Sequence, residues 1–441
     1  MVDPTLIMGG KNSVQDFDVV MSSHVRGCVF HRYDLFSKDP KKRDFNLRLL
    51  FSYLDDFMCA ARTLAHALEQ FAFFTAIGEY LGLVFSPSKM EPPLQEQCLL
   101  GVIFNTLHKI VALKSGKPQK VKDMLVKFAS SRWWSAKQIE EVMGNLIWVS
   151  LVLPKLRAFT TPFILFLLAA NRSPDLKVDR WTQPLVNESA ADSLKFLIYL
   201  LELDPQCSVY RFLSLWPTKK VFPFSDASGW EIGILNPSPG CLGGFFFDKR
   251  AGVKFAFSIP WQTILELLPE EFKANFSEPH INYLETFSAF ILVAWLVTLF
   301  PKLVFRKRII IKLDSQVAIA WFANGRCPTL PVHRLIQTFA ILEWKYSCVI
   351  TPIYVKSKAN PADKLTRNLG GPGSWVTLNH PPGSYFKIRL SRVPYSVLRL
   401  FMDSITGRLN YKKFLGSKAS LLAYNRQSRF LHPVIFLPPP R

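Results

Sequence analysis

The sequence predicts a multidomain protein of the α/β and α+β classes. It has 441 residues, which at about 150 residues per domain corresponds to about three domains. Residues 117–215 carry a mostly helical pattern, whereas strand and helix patterns alternate from Val221 to Arg367. Hydrophobic residues make up 49% of the chain and charged residues 20%, so the composition excludes a disordered or fibrous protein.

Composition divides the chain into four regions. Residues 1–115 combine short strand patterns with one long helical pattern, and residues 116–215 are helical throughout. Residues 216–369 form the α/β region. Residues 370–441 carry eleven Lys or Arg and one acidic residue, Asp403, which predicts a basic tail or linker.

The charge balance predicts a polyanionic partner. There are 54 Lys and Arg against 33 Asp and Glu, a formal net charge of +21, and nucleic acid is the leading candidate. The longest apolar segments, 146–170 and 287–300, do not reach the ~18 to 20 uninterrupted apolar residues of a membrane span. No signal peptide is recognised at residues 1–13. We therefore expect no membrane partner and an intracellular location, in the cytoplasm or nucleus.

Cysteine usage agrees with a reducing compartment. The seven cysteines are scattered singly, and their total is odd. Because no CxxC pair occurs, neither a zinc site nor a disulfide framework is expected.

A pair of carboxylates occurs in the segment FSYLDDFM. Apolar residues flank Asp55 and Asp56 on both sides, which predicts a β-hairpin with both side chains at its tip. Adjacent carboxylates repel each other and gain nothing unless cations bind them. The alternative is an ordinary Asp-containing turn.

Four further carboxylates occur in the α/β region. Asp226 and Asp314 are predicted at strand ends, Glu285 near the start of a helix that is apolar nearly all round, and Asp363 at the start of another helix. At such positions an α/β sheet can gather side chains into one crevice. Helix capping is the alternative for the three aspartates. It does not explain Glu285, since a lone buried carboxylate costs several kcal/mol.

Four sequence segments resemble, in this order, the Asp, Glu, Asp, Asp signature of retroelement ribonuclease H domains: SDAS, INYLE, KLDSQVAIAW and NPADKLTR. The similarity is greatest to DIRS-type retrotransposons, with gypsy-like elements next; it rests on INYLE, the DSQVA helix entry and SAKQIEEVMGNLIWVSLVLPKLRAF. The resemblance implies a mixed five-stranded sheet with helices. It also implies that two Mg²⁺ or Mn²⁺ ions bind there and support hydrolysis of the RNA strand of an RNA–DNA hybrid. The catalytic and metal-binding residues would be Asp226, Glu285, Asp314 and Asp363.

Residues 1–115 resemble part of a reverse transcriptase palm. The YLDD hairpin, a helix over Ala61–Gly82, SPSKM and the Leu-Gly of CLLGVIF follow the order of motifs C, D and E, and MGGKNSVQDF at 8–17 resembles motif B. The resemblance implies that Asp55 and Asp56 form motif C, with Asp55 a metal ligand, and that residues 116–215 are a helical thumb and connection. No counterpart of the fingers or of the motif A Asp is found. We therefore expect no primer extension by this chain.

A basic segment at 117–134 interleaves lysines with aromatic residues. This pattern can follow a phosphate backbone, and a solvated helix face is the alternative. The residues predicted to bind nucleic acid are Lys117, Lys120, Lys122, Lys127 and Trp133. The region from Lys387 to Arg441 is either a nucleic-acid-binding arm or a linker.

The sequence predicts a retroelement-derived reverse transcriptase and ribonuclease H protein that is a hybrid-specific, metal-dependent endonuclease. Its partners would be the RNA–DNA hybrid and the nucleic-acid backbone. A catalytically inactive nucleic-acid-binding protein or a scaffold, derived from a retroelement, is the alternative. Cleavage of a hybrid in the presence of a divalent metal separates these functions.

Overall fold

The computed structural model of the protein divides the chain into two compact units, residues 1–110 and 111–441. The described residues are 50–53, 56–59, 61, 63–80, 82, 86, 90–107, 110–152, 154–169, 177–179, 184–203, 219–229, 240–277, 279–305, 307–327, 329–346, 348–367, 371–380 and 384–416. Both units mix helices with sheets, so the predicted α/β and α+β character is present. The boundary predicted at 115 lies close to the observed division, whereas those at 215 and 369 fall inside the second unit.

The first unit contains two hairpins and a helix. Strands β1 (Leu50–Tyr53) and β2 (Asp56–Cys59) pair antiparallel, followed by α1 (Leu64–Tyr80) and a second hairpin of β3 (Glu96–Leu99) and β4 (Val102–Asn105). The turn residues Leu100 and Gly101 both have positive φ, 51° and 77°, as a tight two-residue hairpin turn requires. These elements lie where the sequence predicted them. The motif B match at 8–17 lies outside the described residues.

The second unit starts with the predicted helical region. It packs through aromatic contacts, since the ring of Trp134 stacks on Phe128 with 4.2 Å between centroids and Phe159 stacks on Phe196 at 4.4 Å. All four rings are buried. The elements are β5 (Ile110–Leu113) at the boundary, α2 (Lys117–Ser130), β6 (Trp133–Ser135), α3 (Ala136–Val152), a 3₁₀ turn (Pro154–Phe159), α4 (Thr161–Ala169), β7 (Lys177–Asp179) and α5 (Pro184–Leu203).

A mixed sheet forms the centre of the second unit. Its order is β11-β10-β9-β12-β13; β9, β10 and β11 pair antiparallel, and β12 pairs parallel with both β9 and β13. A sixth strand, β8, also pairs with β12. The strands are β8 (Lys220–Val221), β9 (Phe224–Ser228), β10 (Cys241–Asp248), β11 (Val253–Pro260), β12 (Arg308–Leu313) and β13 (Val349–Tyr354). The mixed five-stranded sheet that the ribonuclease H resemblance implies is therefore present, extended by β8.

Helices connect and cover this sheet. The longest one, α8, lies against β9 and β10, and nearly all of its residues after Tyr283 are buried. The helices are α6 (Trp261–Leu267), α7 (Glu270–Phe276), α8 (Ile281–Leu299), α9 (Pro301–Val304), α10 (Gln316–Asn324), α11 (Leu330–Tyr346) and α12 (Asp363–Arg367).

Helix α8 bears on the membrane prediction. Because it begins at Ile281, it is longer than the apolar segment 287–300 recognised in the sequence. By length and composition it is the one helix among the described residues that could cross a membrane. Of its most apolar stretch of 18 residues, 78% is buried inside the protein. Core helices pass the same test, so this helix is weak evidence for a membrane span.

The segment predicted to be a basic tail or linker is folded over 371–416. Strands β14 (Trp375–His380) and β15 (Ser384–Arg389) form an antiparallel hairpin, followed by α13 (Tyr395–Ile405) and α14 (Tyr411–Leu415). The hairpin shares one hydrophobic core with the central sheet and α12, formed by Phe224, Phe245, Ala256, Ala362, Leu365, Val376, Leu378, Ile388 and Leu390. Alternate apolar residues of the hairpin therefore close this core, and the part of the predicted tail over 371–416 carries secondary structure.

Buried polar contacts join the helical region to the sheet region. The Gln337 amide donates to the Ala158 carbonyl at 3.3 Å and to the Ser193 hydroxyl at 3.2 Å. The Tyr199 hydroxyl donates to the Gly416 carbonyl at 3.0 Å. Residues on both sides of the boundary predicted at 215 thus belong to one packed unit.

Candidate metal centre

Three of the four predicted carboxylates meet at the middle of the sheet. Asp226 lies within β9, Glu285 lies in the second turn of α8, and Asp314 directly follows β12. One carboxylate oxygen from each lies within 4.8 Å of the other two. The neighbouring parallel strands β9 and β12 bring the two aspartates together, and α8 crosses beside them.

Asp226 is held by side chains that follow β13. The Thr366 hydroxyl donates to Oδ2 at 2.7 Å, and the Asn360 amide donates to Oδ1 at 3.4 Å and to the Ser225 carbonyl at 2.8 Å. Burial, followed by the charge of Asp314, raises the pKa of Asp226 to about 8. Because Asp226 lies inside a strand, the N-cap alternative does not apply to it.

Glu285 is 3% exposed. Its Oε1 accepts the backbone N–H of Ala227 at 3.1 Å, whereas its buried Oε2 has no hydrogen-bond partner. Burial, followed by the charges of Asp226 and Asp314, raises the pKa of Glu285 to about 10. A buried acceptor without a partner is costly, and a carboxyl that feels the charges of Asp226 and Asp314 lacks a cation or a proton.

Asp314 and Asp363 are more accessible than the other two. The Ser357 hydroxyl donates to Asp314 Oδ2 at 2.6 Å, and Ser315, not Asp314, caps α10 by accepting the N–H of Ala318. Asp363 begins α12 and forms an ion pair with Arg367 at 3.0 Å. It is not part of the cluster of three, although its charge contributes to the raised pKa of Asp226.

A chain of hydroxyls fixes α8 against the sheet. The Ser225 hydroxyl donates to the Ser288 hydroxyl at 3.0 Å, which in turn donates to the Gly243 carbonyl at 2.8 Å. Ser288 lies one turn after Glu285 and faces the same strands. No sequence pattern indicated these serines or Ser357. For Ser288 the available signal was a hydroxyl residue one helical turn from Glu285.

Gly243 allows α12 to approach the sheet closely. A Cβ at this position would lie 2.8 Å from Thr366 Cγ2 and 3.0 Å from Leu365 Cβ. Gly243→Ala is therefore expected to displace α12, to weaken the Thr366–Asp226 hydrogen bond and to lower the free energy of unfolding by about 1–3 kcal/mol. Urea denaturation measures the effect.

Gly144→Ala is the matched control for that substitution. Gly144 lies inside α3, and its added Cβ would meet nothing within 4 Å. It should raise the free energy of unfolding by about 0.5–1 kcal/mol, because Ala is the better helix former. Equal effects of the two substitutions would contradict the close approach at Gly243.

The basic segment is partly structural. Phe128 and Trp134 are buried in the core, whereas Trp133 is 47% exposed with the Arg132 guanidinium 5.2 Å from its ring centroid. Lys122 forms an ion pair with Glu202 at 3.5 Å, and the Lys117 ammonium lies 5.6 Å from the Trp148 ring centroid. Lys120 and Lys127 are exposed on α2.

The predicted motif C lies at the turn of the first hairpin. The last paired residues of β1 and β2 are Tyr53 and Asp56, so the backbone of Asp56 is at the tip as predicted. Asp55 and the side chain of Asp56 lie outside what the structure describes.

The donor set of the second unit suits a hard divalent cation. Asp226, Glu285 and Asp314 supply carboxylate oxygens, the ligands that Mg²⁺ and Mn²⁺ prefer. The unpartnered Oε2 of Glu285 and the raised pKa of two carboxyls indicate uncompensated negative charge. These residues therefore fit a divalent cation.

Comparisons with known proteins gave structural similarities at low identity. No protein-family model matches the sequence, and no curated protein matches it. A similarity to RNase H1 from the halophilic archaeon Halobacterium salinarum NRC-1 has 16% identity and a TM-score of 0.23, and covers 34% of this chain and 96% of that one. A similarity to the foamy viral protease-reverse transcriptase dRH in complex with ds DNA has 15% identity and a TM-score of 0.29, and covers 70% of this chain. This chain spans 46% of that viral chain.

Proposed function

We propose that the protein is a divalent-metal-dependent ribonuclease that hydrolyses the RNA strand of RNA–DNA hybrids. One observation carries the proposal: Asp226, Glu285 and Asp314 converge within 4.8 Å while Glu285 Oε2 is buried without a partner. A purely structural role would require each buried carboxylate to be paired or hydrogen-bonded. The arrangement therefore favours a site built to hold cations.

The proposed catalytic and metal-binding residues are Asp226, Glu285, Asp314 and Asp363. Mg²⁺ or Mn²⁺ bound by such carboxylates, as two ions in the proposed site, would activate a water and stabilise the leaving 3′-oxygen. Neighbouring side chains would orient these ligands. Thr366 and Asn360 hold Asp226 by hydrogen bonds, and Ser357 holds Asp314. Asp363 is held beside them by its ion pair with Arg367.

The nucleic-acid-binding surface proposed for the helical region contains fewer residues than the sequence pattern, because Phe128 and Trp134 are buried. The exposed members of the predicted set are Trp133, Lys117, Lys120 and Lys127, and we propose that they contact the strand backbone. Lys122 remains a proposed phosphate contact, in exchange for its ion pair with Glu202. Selection of RNA would use its 2′-hydroxyls.

We propose a retroelement origin for the chain, with similarity to DIRS-type elements and, after them, to gypsy-like elements. The order of the YLDD hairpin, the helix and the second hairpin supports a partial palm in the first unit, with Asp55 and Asp56 as motif C. The helical region would then be the thumb and connection. A polymerase requires a further metal-binding carboxylate, so primer extension is expected to stay at background.

The proposal is tested by cleavage of a labelled RNA–DNA hybrid with Mg²⁺ or Mn²⁺. Asp314→Asn should reduce cleavage at least about a thousandfold, since it removes a charge that the reaction needs, while hybrid binding is retained. Asp314 is partly exposed, so folding should survive the substitution.

Asp123→Asn is the matched control. It makes the same chemical change at an exposed position of α2 outside the carboxylate cluster and should cut normally. Cleavage by Asp314→Asn at the rate of the unsubstituted protein would refute the site. Metal-independent cleavage would refute the role of the cations.

A further inference from the structure

The hairpin of β14 and β15 has two different faces. Its inward residues Val376, Leu378, Ile388 and Leu390 are almost fully buried in the core shared with the sheet. Because side chains alternate along a strand, the residues between them point outward. We call the exposed outward residues the hairpin face: Trp375, Thr377, Tyr385, Lys387 and Arg389.

The register arranges the hairpin face as a row. Trp375 pairs with Arg389, Thr377 with Lys387, and Asn379 with Tyr385. Successive pairs are separated by two residues, or about 7 Å, so a cation lies between two aromatic positions that are about 13 Å apart. Trp375 is 65% exposed and Tyr385 71% exposed. Apolar surface rimmed by polar residues marks an interaction site, whereas single exposed residues do not.

The charge of the hairpin face selects the partner. Between residues 371 and 389 the sequence has two cationic residues, Lys387 and Arg389, both on the hairpin face, and no acidic residue, in a chain of net charge +21. A second copy of this chain would bring like charge to the same surface. Aromatic rings combined with cations are the arrangement that binds unpaired bases and their phosphates.

The hairpin is anchored to the part of the fold that carries Asp363. The inward residues of the hairpin share a core with Ala362 and Leu365, which lie on either side of Asp363 in the sequence. The backbone N–H of Ser391, just after β15, donates to the Ala256 carbonyl of β11 at 2.7 Å. The hairpin is thus fixed to both the sheet and α12.

We propose that the hairpin face binds a single-stranded segment of nucleic acid that continues from the hybrid held at the carboxylates. Bases stack on Trp375 and Tyr385, and Lys387 neutralises a phosphate between them. Arg389 is fixed by its own contact, since its Nε donates to the Gly373 carbonyl at 3.0 Å. The continuation from a hybrid rests on the proposed function, whereas binding of a single strand does not.

The test measures binding of a fluorescent single-stranded DNA of about 12 nucleotides, within the site sizes known for stacking platforms. A chelator is present, so the result is independent of cleavage. The double substitution Trp375→Ala with Tyr385→Ala should weaken binding at least about fivefold, since each stacked base contributes that much or more. Trp375→Phe with Tyr385→Phe keeps two rings and should bind nearly as well as the unsubstituted protein. Because all these side chains point outward, the core is unchanged.

Lys387→Gln tests the electrostatic part of the proposal. It should lower the slope of log affinity against log salt by about 0.7 on a single strand. Lys302→Gln is the matched control: it is an exposed residue of α9, outside the hairpin face, and should leave the slope unchanged. Equal slopes for the two variants, or unaltered affinity of the double alanine variant, would overturn the proposal and leave the hairpin face to a protein partner.

Hybrid cleavage and single-strand binding by the hairpin face can be refuted independently. If the protein binds the single strand through the hairpin face but does not cut a blunt hybrid, only the proposed function is wrong. If it cuts the blunt hybrid and the substitutions leave single-strand binding unaltered, only the hairpin proposal is wrong. With a hybrid carrying a single-stranded overhang, the double alanine variant should raise KM and leave kcat unchanged.

Discussion

Replacing Glu285 by Gln is expected to stabilise the metal-free protein at pH 8 and to abolish hybrid cleavage. Burial and the neighbouring carboxylates raise the pKa of Glu285 to about 10, so at pH 8 the carboxyl is protonated in the folded protein and ionised in the unfolded chain. Folding must then take up a proton, which costs free energy that grows with pH above the unfolded value. A neutral amide of the same shape avoids this cost.

The size and pH range of this effect follow from the two pKa values. Below the pKa that Glu285 has in the unfolded chain, near 4.5, the carboxyl is neutral in both the folded and the unfolded state. The substitution should then change the free energy of unfolding little. Between there and pH 8 the advantage of Gln should grow to several kcal/mol. Urea denaturation with a chelator at pH 4.5 and pH 8 measures it. Glu266→Gln, an exposed position on α6, is the control and should show no pH-dependent gain. A loss of stability in Glu285→Gln at pH 8 would contradict the assignment of uncompensated charge.

Divalent cations should stabilise the protein strongly at pH 8 and weakly at pH 5. At pH 5 the raised pKa of Asp226 and Glu285 keeps both carboxyls protonated, and a cation must displace these protons in order to bind. At pH 8 Asp226 is half ionised, so binding costs less. At a hundredfold excess over Kd the stabilisation is about 2.7 kcal/mol.

Thermal denaturation with and without Mg²⁺ at the two pH values measures this effect, and calorimetry in two buffers reports the released protons. The double variant Asp226→Asn with Asp314→Asn should lose the Mg²⁺-dependent shift in Tm while remaining folded. The same shift at both pH values, or a shift that persists in the double variant, would show that the cation binds elsewhere.

Part of this architecture could be predicted from local sequence patterns. The helix at 64–80, the buried helix that carries Glu285 and the strands that precede or carry the two aspartates are marked by apolar segments whose lengths distinguish helices from strands. The convergence of Asp226 and Asp314 follows from adjacent parallel strands. These features depend on neighbours in sequence or on a general rule of sheet topology.

The rest depends on contacts between distant residues. The hydrogen bond from Thr366 to Asp226 joins residues 140 positions apart, and no local pattern indicates it. The hairpin of β14 and β15 resembled a basic linker because its charged outward residues dominate the composition. Its inward residues, such as Leu378, alternate with them and bury against a core that the sequence alone does not display. Trp133 is exposed and Trp134 is buried because neighbouring side chains of a strand point to opposite sides, and the sequence alone does not show which side faces the core.

The distance in sequence between the parts of this core determines when it can form on the ribosome. Phe224 of β9 packs with Ile388 of β15, and the ring of Phe287 meets that of Phe401, 5.2 Å between centroids. At about 5–20 residues per second, translation from Phe287 to Phe401 takes on the order of ten seconds. During that interval the apolar surface of α8 has emerged without all of the residues that cover it. The nascent chain is therefore expected to need a chaperone over this stretch, and the Asp226 carboxylate can accept its hydrogen bond from Thr366 only after translation has passed that residue.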